Sequence, residues 1–183
     1  DLIFDHTTYT EICNKTARCS REVLCIAPDV KDQQTNSGLN PFLPKRPDPR
    51  FIMMLRLQFS SYGMFCLMSF AKSLRKVYSQ ISFLFSQRGS AGHDGEARAI
   101  YAAHGSIFIL RRKLLADGID FGYFLYGEEI SIAEKVLKLG GLISYEPSIK
   151  VIHQSHASTG STWSYKTFKR KQRAINYICE RYF

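Results

Sequence analysis

The sequence predicts an α/β fold, and three stretches carry that prediction. Residues 128–139 place Ile132, Ala133, Val136, Leu137 and Leu139 on a stripe of about 3.6-residue period, which stops at Gly140-Gly141. Residues 23–27, VLCIA, form a short apolar run before Pro28, the pattern of a buried strand. A further apolar strand follows the glycine pair and ends at His153.

Along the chain, residues 2–22 read as a loop followed by a helix, with Thr7 or Thr8 as its cap and Ile12, Cys13 and Thr16 turned inward. After the strand at 23–27, residues 29–50 are rich in Asp, Asn, Gly and Pro. Pro41, Pro44, Pro47 and Pro49 there predict a long irregular loop. Residues 51–87 repeat apolar side chains such as Leu67, Phe70, Leu74 and Val77 at helical spacing, with Lys72, Arg75 and Lys76 between them. One or two helices packed on the domain are the expectation; an interfacial helix dipping its Phe and Met face into a bilayer is the sharper alternative.

The glycine-rich segment 88–96 lacks the Gly-Lys-Ser/Thr ending of a phosphate-binding loop, so His93 and Asp94 are expected in solvent. Residues 100–110 read as a strand interrupted at His104-Gly105, where the absent side chain of Gly105 would let a substrate approach the backbone. The basic C-terminal segment, residues 166–183, is expected as a helix packing through Ile175, Tyr177 and Ile178. Trp163 and Tyr165 would form a flap before it.

Composition bounds the function. The chain has 183 residues, 45% of them hydrophobic and 22% charged, enough for one domain with a core. No run of 18 uncharged apolar residues suggests a transmembrane helix, and no secretory leader is visible at the N-terminus. Five cysteines, Cys13, Cys19, Cys25, Cys66 and Cys179, show no metal-ligand spacing and read as reduced and mostly buried, which suits a cytoplasmic setting. The formal charge of +9 gathers at Arg75-Lys76, residues 111–113 and residues 166–173. A solvated basic face accounts for it equally well, but an anionic membrane surface is the favoured partner, with the protein peripheral on the inner face of the cell membrane. No nucleic-acid-binding motif accompanies the charge, so nucleic acid is not expected.

The chemistry concentrates in Glu128 and Glu129, which follow Phe124, Tyr126 and Gly127 and open the helix at 128–139. A carboxylate at a helix start is stabilised in its ionised form, so a base there is expected to be deprotonated near neutral pH and able to take a proton from a hydroxyl. Both glutamates are also ordinary first-turn helix residues. His153 and His156 follow the next strand.

These residues, in this order, resemble the C-terminal signature of family 2 glycosyltransferases, particularly the rhamnosyltransferase-like group. The matching elements are the segment Phe124-Leu125-Tyr126-Gly127-Glu128-Glu129, the helix stop at Gly140-Gly141, Tyr145-Glu146-Pro147, Val151-Ile152-His153 and Ala157-Ser158-Thr159. Upstream, residues 103–112, AHGSIFILRR, are similar to the strand that floors the sugar and acceptor pocket in that family, and residues 23–30 to the segment after its metal motif. The resemblance implies the C-terminal part of a GT-A, Rossmann-like domain: a mixed sheet flanked by helices over residues 1–165, a helical insertion at 51–87 and a basic helix at 166–183. It also implies that a nucleotide-binding half would precede Asp1, so that this chain alone binds its donor poorly and is inactive by itself.

What the resemblance implies for function is inverting transfer of a sugar from a nucleotide-diphosphate sugar to a glycan or lipid-linked acceptor in surface polysaccharide synthesis. Glu129, at the position of the family's Asp, would be the base, with Glu128 as the alternative. His104, Gly105, Ser106, Tyr126 and Gly127 would bind substrate, and Asp1 and His153 would hold a divalent metal, Mg or Mn. Two departures stand out: position 129 is Glu, and Ser131 stands where a second acid is often found. The Gly127-Glu128-Glu129 variant and the missing first half favour an alternative in which the chain is a non-catalytic or truncated homologue that binds sugar or membrane.

Overall fold

The computed structural model describes the chain apart from residues 1, 4–5, 86–95, 117, 120, 122, 124 and 155–163, and apart from the side chains of residues 74–85. Asp1, His93, Asp94, Phe124, His156, Trp163 and the 157–159 segment therefore lie outside the described residues, as do the side chains of Leu74, Arg75, Lys76 and Val77. The described elements are β1 (Leu2–Ile3), α1 (His6–Arg18), β2 (Val23–Asp32), α2 (Pro49–Gln58), α3 (Tyr62–Phe85), β3 (Arg98–Ile100), β4 (Ile109–Leu110), α4 (Arg112–Leu115), α5 (Glu128–Lys138), β5 (Leu142–His153) and α6 (Tyr165–Tyr182).

They form the α/β architecture expected: a mixed, open, Rossmann-like sheet flanked by helices. The path through the sheet is β1-β5-β2-β4, with β3 paired on β5. Its centre is the parallel pair β2 and β5, whose apolar residues are divided between two cores. One side packs Leu24, Cys25, Ala27, Ile143 and Tyr145 with Ile132, Ala133 and Val136 of α5. The other gathers Val23, Ile26, Val30, Ile149 and Val151, with Ile12 of α1 against them.

Several expectations are corrected here. The strand at 23–27 does not end at Pro28 but continues to Asp32. Proline removes one ladder donor, and the pairing adapts by a register shift, Pro28 facing Glu146 while Asp29 faces Lys150. Helix α1 begins at His6, so Thr7 and Thr8 lie within it rather than capping it. Thr8 is buried and its hydroxyl donates to Lys150 O at 3.1 Å, which fastens α1 to β5. Ile12 faces inward, but Cys13 and Thr16 are exposed. All five cysteines are free; only Cys25 and Cys179 are buried, while Cys13 is exposed.

Pro49 starts a helix instead of preventing one. It occupies the first helical turn of α2, where its missing N–H is harmless, and Asp48 caps the end by accepting from Phe51 N–H at 2.7 Å. The strand expected across 100–110 is two short strands on different partners, β3 antiparallel to β5 and β4 antiparallel to β2, with residues 101–108 crossing between them. Helix α5 matches its sequence pattern closely. Gly140 N–H bonds Leu137 O at 2.9 Å and Gly141 N–H bonds Val136 O at 3.0 Å, the paired closure of a helix that stops at glycine. Leu137 alone of its stripe stands exposed.

Helix α6 closes the molecule. Ser164 caps it through Thr167 N–H at 3.1 Å, and Ile178, Ala174 and Cys179 are buried as its packing face. Phe168 is 2% exposed and lies 6.4 Å from Phe59, 5.5 Å from Phe65 and 5.4 Å from Tyr62, ring centre to ring centre. This aromatic cluster joins α6 to both α2 and α3. Phe168→Ala should destabilise the protein by about 3–5 kcal/mol, the usual loss for truncating a buried phenylalanine. Urea denaturation followed by circular dichroism measures it.

Candidate functional site

Three residues before α5 set the geometry of the site. Leu125, Tyr126 and Gly127 all have positive φ, at 63°, 72° and 98°. A run of left-handed backbone that includes two non-glycine residues is strained, and such strain concentrates where a side chain must be aimed. Gly127 cannot be replaced easily: besides its φ, a Cβ there would overlap Ile178 Cδ1 of α6. The turn delivers Glu129 into the first turn of α5, and Gly127 N–H donates back to Glu129 Oε2 at 3.2 Å.

The other carboxylate oxygen lies on Gly105. A Cβ at Gly105 would sit 2.7 Å from Glu129 Oε1, so a side chain at this position would push the carboxylate off this backbone. The group approaching the Gly105 backbone is thus Glu129 itself, where the sequence suggested a substrate. Backbone N–H groups of Gly105, Gly127 and Glu129 all favour the ionised form, but burial outweighs them, and Glu128 adds repulsion. The Glu129 carboxyl is held above its ordinary range. This reverses the direction expected from the helix dipole alone, because the side chain is desolvated as well as capped.

His104 and Ser106 flank Gly105. His104 N–H donates to Asn40 Oδ1 at 2.6 Å, and Asn40 Nδ2 donates to Pro28 O at 2.8 Å, so the loop at 33–48 anchors the 104–106 turn to β2. Ser106 N–H donates to His104 Nδ1 at 3.2 Å, with Ser106 Oγ 3.0 Å from the same nitrogen. A backbone N–H can only donate, so the neutral ring carries its proton on Nε2. Burial, and then the nearby charge of His153, lowers the His104 pKa. The two imidazoles meet edge to face with centroids 6.0 Å apart. The end of β5, the 104–106 turn and the start of α5 thus form one continuous surface: His153 against His104, and Gly105 against Glu129.

A cleft of about 280 Å³ opens beside Glu129. Its walls are Phe51 and Leu55 of α2, Phe59 at its C-cap, Tyr126, Gly127 and Ile130, and Lys171, Ile175 and Ile178 of α6. The Lys171 ammonium lies 4.9 Å from the Tyr126 ring centre, a cation–π contact. Burial and the charge of Lys72 lower its pKa. Lys171 is a site residue that sequence reasoning missed, since nothing in the run KTFKRKQR distinguishes it from its neighbours until α6 is docked.

Other expected residues have structural places. Ser131 is buried and its Oγ is 2.7 Å from the Tyr123 hydroxyl. Arg111 holds Val23 O, Cys19 O and Ser20 O at 2.7–2.9 Å, tying the end of α1 to β2 rather than facing the cleft. Among the described residues no group of three or more His, Cys, Asp or Glu side chains is placed to hold a metal ion. His153 and His104 make only a pair, and Asp1 lies outside the described residues, so the described donor set is incomplete for a divalent cation.

Comparison with known proteins gives a partial relationship. Over 58 residues, 31% of this chain, the sequence is 36% identical to an N-acetylglucosaminyl-diphospho-decaprenol L-rhamnosyltransferase of Mycobacterium tuberculosis strain CDC 1551 / Oshkosh, and equally to that of strain ATCC 25618 / H37Rv. The relationship is glycosyltransferase-like. The match spans 19% of the length of those relatives. No protein-family model and no solved structure matches the chain.

The raised pKa of Glu129 makes a signed prediction. A carboxyl with a folded pKa above its unfolded value of about 4.5 contributes stability that is fully present below that pH and is lost as pH rises through the folded pKa. Glu129→Gln never ionises, but its one acceptor oxygen can serve only one of the two backbone N–H groups, on Gly105 and on Gly127, that the two carboxylate oxygens meet; its stability should therefore rise relative to the parent as pH goes from about 4.5 towards 7. Below about pH 4.5 this pH-dependent gain should vanish. Thermal melts of both proteins across pH 4 to 8 measure the difference.

Proposed function

We propose that this chain is part of a glycosyltransferase that moves a sugar, with inversion, from a nucleotide-diphosphate sugar to a glycan or lipid-linked acceptor in surface polysaccharide synthesis. The observation that carries the reading is the Glu129 carboxyl, held on the Gly105 backbone at the wall of an open cleft. Burial raises its basicity, and two backbone segments fix its direction. That combination suits a general base, whose strength grows as its pKa approaches the working pH. The partial match supports a donor and acceptor of the kind the relatives' name describes, a glycosyl donor and a diphosphate-lipid-linked sugar.

In this reading the acceptor hydroxyl lies in the cleft against Glu129. The carboxylate takes its proton as the oxygen attacks the anomeric carbon from the face opposite the leaving group. A C–O bond forms, the bond from the anomeric carbon to the diphosphate breaks, and the nucleotide diphosphate leaves with the electron pair. Tyr126 and Gly127 line the cleft, while His104, Gly105 and Ser106 lie outside its walls, with Gly105 against the Glu129 carboxylate and His104 against His153. Glu128 raises the Glu129 pKa by its charge and stands as the alternative base. A Mg or Mn ion, with His153 as a candidate ligand, belongs to the proposal on the strength of the resemblance; it would offset charge on the departing diphosphate.

Glu129→Gln in the protein carrying this chain should lower sugar transfer about 10²- to 10⁴-fold, the usual contribution of a general base, while donor binding stays within a few-fold. Glu128→Gln should change transfer by less than about tenfold. Radiolabelled transfer assays and calorimetric titration of the donor, chosen from a panel of nucleotide sugars, measure the two. Turnover retained in Glu129→Gln overturns the assignment, and loss in Glu128→Gln alone moves the base to Glu128.

A further inference from the structure

The outer faces of α2 and α3 are apolar where a surface helix of a globular protein is normally polar. On α2, Ile52 and Leu55 turn inward, as does Phe59 at its C-cap, yet Met53, Met54 and Leu57 on the opposite stripe are 67%, 54% and 52% exposed. On α3, Phe65 and Cys66 pack inward while Leu67 and Phe70 stand 62% and 57% exposed. Over the described side chains, residues 49–73, the two helices are thus apolar on both sides, and only the inner sides are covered by the fold.

Their charge is one-sided as well. No residue from 49 to 93 is acidic, while Arg50, Arg56 and Lys72 are basic, and the exposed Arg50 and Arg56 lie on the same helix as the methionines. Among the described residues no single helix is long and apolar enough to cross a membrane, and the pair Pro49–Gln58 and Tyr62–Ser73 meets at a bend of 116°. A corner of this kind, apolar outside and rimmed by cations apart from Asp48 at the N-cap of α2, suits the boundary between headgroups and acyl chains. Methionine adds an unbranched side chain that adapts to an irregular apolar surface.

We propose that the α2–α3 corner docks this chain on an anionic lipid bilayer. Met53, Met54, Leu57, Leu67 and Phe70 enter the acyl boundary, and Arg50 and Arg56 meet lipid phosphates, while Lys72 is held on Gln58 Oε1 at 2.8 Å. The inference rests on the exposed side chains and their charge, not on the transferase reading. It does place the Glu129 cleft near the lipid, because Phe51 and Leu55 of α2, with Phe59 at its C-cap, form one wall of that cleft. Only the thickness of one helix, about 10 Å, would separate the two.

Co-sedimentation of the protein carrying this chain with vesicles tests the proposal. It should pellet with phosphatidylcholine containing about 30% phosphatidylglycerol, stay in the supernatant with phosphatidylcholine alone, and release as salt rises towards about 1 M. Met53→Ser with Leu57→Ser, and separately Leu67→Ser with Phe70→Ser, should each weaken partitioning at least roughly tenfold. Circular dichroism should not change, since these side chains are exposed. The proposal is overturned if the parent stays in the supernatant with anionic vesicles, if it binds neutral vesicles equally, or if both double variants bind as the parent does. Self-association abolished by the same substitutions, without vesicle binding, would mark the corner as a protein interface and overturn it equally.

Discussion

The parallel ladder between β2 and β5 is the constraint on which the rest of the molecule hangs. Parallel strands are typically buried on both faces, because their connections lay helices over them, and the buried positions of both strands here are mostly apolar. The remaining described strands attach to this pair: β4 extends the sheet from β2, while β1 and β3 share the far edge of β5. Thr8 ties α1 to β5, Arg111 ties the end of α1 to β2, and α5 covers one face. The end of β5 fixes His153, and the loop leaving β2 supplies Asn40, which positions His104. The two imidazoles meet because one ladder sets both supports.

Much of this was legible in the residues, and the failures have physical reasons. Helix α5 was readable because its apolar period, acidic first turn and glycine stop agree, and its observed span differs from the pattern only at its last residue. The continuation of β2 was hidden by Pro28, since a proline within a strand normally ends it unless a register shift absorbs the missing donor. Pro49 misled in the opposite sense: a proline reads as a breaker until Asp48 is recognised as a cap. Leu67 and Phe70 fit a buried helical stripe by spacing, yet they face outward, because period alone does not tell which side of an all-round apolar helix the fold will cover.

The candidate site divides along the same line. Glu129, Gly105, His104 and His153 were identifiable from motif order, but their mutual arrangement was not, since the contact of Glu129 with Gly105 joins positions 24 residues apart. Dipole reasoning correctly placed a carboxylate at the helix start and misjudged its proton affinity, because burial is a property of the folded surroundings. The price of that arrangement is visible in the backbone, where Leu125 and Tyr126 adopt conformations a free chain would avoid. Local preference yields there to the aim of one side chain.

Lys171 leads to a practical consequence. Held over the Tyr126 ring in a partly desolvated wall, and repelled by Lys72, its nitrogen spends more time as free amine than an ordinary lysine does at the same pH. Acylating reagents attack only that unprotonated form, so a mild, near-neutral treatment would mark this position early. Anything lodged in the cleft would shield it, making the rate of labelling at a single lysine a direct gauge of occupancy.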